Sequence, residues 1–143
     1  MRYSAQTRHL YYTSTAQKVF MRVPVDPATL DPAGNAKFVA AIDNADDFCI
    51  DESVGFANVT RHRANTLDRV PLQPRRGSVV RHIAGDPFDE LLIGPSSAAW
   101  GRGPGQRGRV AYVTTDGGTT APPNGIVRKA ALMRVELHPP TVW

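Results

Sequence analysis

Apolar and polar residues alternate with a period of two along several stretches of the chain. Residues 18–25 place Val19, Met21, Val23 and Val25 on one face. Residues 108–115 set Val110 and Tyr112 against Arg109, Ala111 and Val113; residues 132–137 set Met133, Val135 and Leu137 against Leu132, Arg134 and Glu136. A two-residue period marks a strand with one face buried. Weaker strand patterns cover 9–13, 38–42, 54–60, 78–83 and 91–93. Two stretches have the composition of short helices: the Ala-rich 35–43, and 96–100 just after Gly94-Pro95. Residues 127–133 contain the helix formers Ala130, Ala131 and Leu132, but sit between two strand patterns and are taken as a break.

Turn chemistry separates these stretches. Twelve glycines and twelve prolines cut the chain into short pieces and leave little room for long helices. Asp26-Pro27 and Asp31-Pro32-Ala33-Gly34-Asn35 bracket a loop with one helical turn at 27–30. Asp116-Gly117-Gly118 and Pro122-Pro123-Asn124-Gly125 are turn signals that follow and precede strands. Close-set short strands in a chain of 143 residues predict one mostly β domain. The expected architecture is a β-sandwich or small β-barrel with Pro/Gly-rich loops and extended terminal arms, at 1–17 and 138–143. The final arm carries Pro139-Pro140, which stiffen it, and Trp143, whose large ring suits an interface pocket.

Charge adds an asymmetry. The net charge of +4 divides into −2 over residues 1–60 and +6 over residues 61–143, and fourteen of the seventeen basic residues are arginine. Arginine suits interfaces and paired contacts with carboxylate or phosphate, although GC-rich codon usage also enriches it. No apolar stretch follows the N-terminus or reaches the roughly 20 residues of a membrane helix, so a soluble protein is expected. Cys49, the single cysteine, lies between Phe48 and Ile50 and is expected to be a buried small hydrophobe.

No motif names a reaction. The acidic group Asp43, Asp46, Asp47, Asp51 and Glu52 lacks the order and central glycine of a calcium loop and is taken as a solvated acidic loop. His9, His62, His82 and His138 have no zinc-ligand spacing; His62 and His82, both flanked by arginine, are expected to be ordinary surface or interface histidines. Gly94-Pro95-Ser96-Ser97 is not a nucleophile elbow, and Gly101, Gly103 and Gly105 make a poor dinucleotide fingerprint. No metal, cofactor or catalytic residue is therefore assigned, and the chain is not expected to be an enzyme. The candidate partner-interface residues are Trp100, Arg102, Arg107, Arg109 and Trp143. In the loop 101–109 the arginines could meet phosphates and Trp100 could stack a base, which keeps a single-stranded nucleic-acid-binding β-barrel as an alternative.

The C-terminal half has a recognisable order. After an apolar strand and a Gly-rich break come Val110-Ala111-Tyr112-Val113, the turn Asp116-Gly117-Gly118, Gly125-Ile126-Val127, Ala130-Ala131 and a last strand from Met133 to Leu137. This order resembles the head decoration, or cement, proteins of tailed bacteriophages over residues 88–137. The resemblance implies a structural protein of the virion that binds the outer capsid and bridges major capsid protein subunits. Its partners would be the major capsid protein and neighbouring copies of itself, with no cofactor. A head–tail connector or tail component is the related alternative.

Overall fold

In the computed structural model, which describes residues 1–88 and 90–138, the chain forms three antiparallel sheets laid face to face. The first sheet is β1 (Arg2–Ser4), β2 (His9–Ser14), β3 (Val19–Pro24) and β4 (Lys37–Ala41). The second is β5 (Ala45–Asp51), β6 (Phe56–Arg61), β7 (Thr66–Pro71) and β8 (Arg81–Gly85). The third is β9 (Pro95–Trp100), β10 (Val110–Thr115) and β11 (Ala131–Glu136). Every sheet is a meander whose strands pair in chain order. The mostly β expectation holds, with sheet-on-sheet packing as in a sandwich.

The second sheet sits in the middle and is covered on both faces. Phe48, Ala57, Val59, Val70 and Leu72 pack toward Tyr11, Phe20 and Val39 of the first sheet. Cys49 and Leu67 pack the other way, with Ala98, Ala111 and Val113 of the third. The aromatic centre of the first interface is a chain of rings. Tyr11 stacks on Phe20 at 5.7 Å between centroids, and Phe20 meets Phe48 edge-on at 4.9 Å.

The sheets converge along their first strands. β1, β5 and β9 lie side by side and run in the same direction, as the cross-links between them show. Arg2 reaches Asp47 at 2.6 Å, Ser4 Oγ reaches Glu52 at 2.6 Å, Ser97 Oγ reaches Asp47 at 2.7 Å, and Trp100 Nε1 reaches the Ile50 carbonyl at 2.7 Å. Four-stranded meanders stacked around shared inner strands are the building unit of β-propellers.

Several expectations change. Residues 1–17 are not an arm: β1 and β2 form half of the first sheet, held by Tyr11 at its core. The expected helix at 35–43 is β4, and that at 96–100 is β9, because pairing with β3 and β10 overrides local helix propensity. Most of the acidic loop is β5, with Asp51 buried. β7 falls outside every expected strand, and residues 91–93 form none. The helical turn at 27–30 is present as one turn closed by Leu30 N–H on the Asp26 carbonyl. Among the described residues no helix is long and apolar enough to cross a membrane. The tail from Pro139 to Trp143, and with it the arm expectation and Trp143, lies outside the described residues.

Candidate functional site

An open cleft of about 490 Å³ lies where the first strands of the three sheets end. β1 contributes Arg2 and Tyr3, β5 contributes Cys49 and Ile50, and β9 contributes Ala98, Ala99 and Trp100. Glu52, just after β5, and Gly101, Arg102, Gly103 and Arg107, from the β9–β10 loop, complete the wall.

The polar groups of this cleft are held in place. Glu52 accepts the Ser4 hydroxyl and the Gln6 N–H, and Arg107 stands 4.0 Å from it. The Ser4 hydrogen bond, then that of Gln6, keeps the Glu52 carboxyl ionised below its ordinary range against the opposing effect of burial. Arg2 pairs with Asp47 and lies over the Phe48 ring at 5.9 Å. Arg102 is exposed and makes no ion pair among the described residues. Cys49 behaves as expected of a buried hydrophobe: desolvation pushes its thiol up to about 12, so it offers no thiolate to the cleft.

The β9–β10 loop is ordered by one side chain. Gln106 Oε1 accepts the Gly103 N–H at 3.1 Å, while the Gln106 carbonyl accepts the N–H groups of Arg109 and Val110. A Cβ at Gly101 would stand 2.4 Å from Gln106 Oε1, so that glycine makes room for the bracket. The bracket orders the loop that carries Arg102 and Arg107 beside the cleft. Of the five candidate residues from the sequence, the fold brings together Trp100, Arg102 and Arg107. Arg109 does not line the cleft, and Trp143 lies outside the described residues. Arg2, Tyr3 and Glu52 belong to the same cleft, and nothing in their sequence context pointed to it.

A second cluster gathers at the other end of β5. The 3₁₀ turn His62–Ala64 is tied to the β4–β5 turn by the His62 N–H on the Asn44 carbonyl. It directs the His62 ring at the loop after β10. His62 Nε2 lies 2.9 Å from Asp116 Oδ2, and Nδ1 lies 3.1 Å from the Thr120 hydroxyl. Asp116 also accepts the Thr119 hydroxyl and the Gly118 N–H. Burial raises the Asp116 carboxyl, but the hydrogen bonds from Thr119, His62 and Gly118 outweigh it and hold the group at about 2. His62 was expected to be an ordinary surface or interface histidine; its ring is instead bonded at both nitrogens. Among the described residues no group of three or more His, Cys, Asp or Glu side chains could hold a metal ion.

No family model matches the chain, and no curated protein matches its sequence. Among solved structures, a luciferin-regenerating enzyme shares the fold at a TM-score of 0.72 and 18% identity. The match covers 92% of this chain and 42% of that one, so the chain spans less than half the length of its structural neighbour. The likeness overturns three expectations. The resemblance to phage decoration proteins rested on the order of strands and turns over 88–137, and an enzyme's fold supplies the same order through consecutive meanders. The capsid-bridging role goes with it, as does the related connector or tail role. The expectation of a non-enzyme also falls, because the fold is one that an enzyme uses.

Proposed function

We propose that the cleft at the convergence of the three sheets binds a small anionic molecule with a flat apolar part, as the substrate site of an enzyme. The observation that carries this is the grouping of Arg2, Arg102 and Arg107 around Trp100, with Arg102 free of any protein carboxylate among the described residues. A planar guanidinium fork matches a carboxylate or phosphate, and an indole offers an apolar surface beside it. The mouth of a stacked-sheet array, with inner strands as a rigid wall and loops above, is a common place for such a site. The fold likeness to an enzyme named for regenerating luciferin supports small-molecule chemistry over macromolecular bridging.

Calorimetric titration with aromatic carboxylates and their uncharged amides tests the proposal. The carboxylates should bind and the amides should not. Arg102→Ala should weaken binding by about tenfold, the equivalent of ~1.4 kcal/mol. In a Trp143→Phe background, ligand should quench the remaining Trp100 fluorescence. Equal binding of acid and amide, or an unaffected Arg102→Ala variant, would remove the cleft as an anion site.

A further inference from the structure

We infer that Thr120, His62 and Asp116 form a second, nucleophilic site that hydrolyses small, activated carboxylic esters. It lies at the other end of β5 from the cleft. β5 runs from Ala45, near the His62 turn, to Asp51, near Glu52, a separation of about 20 Å at a strand's rise per residue. The site is therefore independent of the anion cleft.

The chemistry follows from which nitrogen faces which partner. The Asp116 carboxylate accepts a hydrogen bond from Nε2–H at 2.9 Å, which fixes the proton of a neutral ring on that nitrogen. Nδ1 is then an unprotonated acceptor 3.1 Å from Thr120 Oγ1. Hydroxyl, imidazole and carboxylate are thus linked in the order of a nucleophile, its base and the group that orients the base. The orienting carboxylate is itself positioned by Gly118 N–H and the Thr119 hydroxyl. A second carboxylate, Asp46 on β5, interacts with both His62 and Asp116. Thr120 is exposed at the end of this chain of bonds, so an incoming acyl group can reach it.

The step balances without any added group. Thr120 Oγ1 bonds to the ester carbonyl carbon as its proton passes to His62 Nδ1. The carbon–oxygen bond to the alcohol breaks, and the alcohol leaves with that proton. Water then gives a proton to Nδ1 and attacks the acyl-threonine. Thr120 Oγ1 departs with that proton and a carboxylic acid is released.

The test uses p-nitrophenyl acetate with the full chain. The wild type should release p-nitrophenol above the background set by a variant lacking His9, His82 and His62 together. An acetyl group should be trapped by acid quench on the peptide bearing Thr120. Thr120→Val should lower turnover by about 10²-fold or more, and Thr120→Ser should retain it. Asp116→Asn, which keeps the shape but not the charge, should lower kcat with KM unchanged. Melting temperatures identify any variant that fails to fold, and the Val and Ser exchanges at exposed Thr120 keep the comparison on folded protein. No hydrolysis above background, full activity in Thr120→Val, or an acetyl group found only on histidine or lysine would each overturn the assignment.

Discussion

Asp116 shows how one residue couples a loop to the acid limit of the fold. Its side chain closes the Asp-Gly-Gly turn through the Gly118 N–H and also holds His62 across the gap between the second and third sheets. Burial works against its ionised form, and the bonds from Thr119, His62 and Gly118 more than offset it, bringing the group from 3.8 down to about 2. The sign follows from linkage. A carboxyl whose folded value lies below its unfolded one stabilises the fold fully above the unfolded value, and that contribution is lost as pH falls through the folded value. Chemical denaturation between pH 3.8 and about 2 should therefore show a shallower acid limb for Asp116→Asn than for the wild type. Superimposable pH profiles would show that the turn does not depend on this charge. The sequence displayed Asp116 only as a turn residue. Its partner His62 is 54 residues away and Thr120 is 58 residues from His62, so neither pairing leaves a local pattern.

β9 illustrates what local pattern can and cannot reveal about an element. Residues 96–100, just after Gly94-Pro95, read as a possible short helix, yet they form an inner strand. The alanines answer a packing demand, not a propensity. Ala98 is 1% exposed and packs with Cys49 and Leu67 of the second sheet. Ala98→Leu should thus destabilise by about 1–3 kcal/mol, measured by urea denaturation, although it keeps a good helix former in place. A neutral or stabilising result would mean that the sheets can move apart there. Two other strands were easier to read. β10 shows its alternation because Ala111 and Val113 meet the core, whereas the alternation of Val19, Met21 and Val23 in β3 belongs to the apolar outer face of the first sheet and Phe20 faces the core. β7 was invisible because both its faces are covered, and its polar residues Asp68 and Arg69 are buried with partners of their own: Asp68 accepts Arg61, and Arg69 donates to Asn58. The cleft was half legible for a related reason. Trp100, Arg102 and Arg107 share one loop and its approach, whereas Arg2, Tyr3 and Glu52 arrive through the stacking of sheets.

At the scale of the molecule, the second sheet contributes residues to both cores. Phe48 serves the first interface and its neighbour Cys49 the second, so adjacent residues on one strand anchor opposite cores. The first sheet has its own apolar outer face, where Tyr3 pairs with Leu10, Leu10 with Val23, and Tyr12 with Met21 beside Phe38. A stack of this kind resembles a linear array, in which each unit is stabilised by its neighbours and an end unit can in principle open alone. The inner strands argue against independent opening here. Arg2–Asp47–Ser97 spans all three sheets through one carboxylate, and Trp100 is bonded to β5. Unfolding should accordingly be one transition. With Trp143→Phe, fluorescence reports the third sheet through Trp100, while far-ultraviolet circular dichroism reports all three. The two should give the same midpoint in denaturant. Asp47→Ala removes the shared carboxylate and leaves both apolar interfaces intact. It should separate the two midpoints, with the fluorescence transition falling first. If the midpoints already differ in the protein with Asp47 in place, the sheets fold as separable units and the polar link along the inner strands does not unite them.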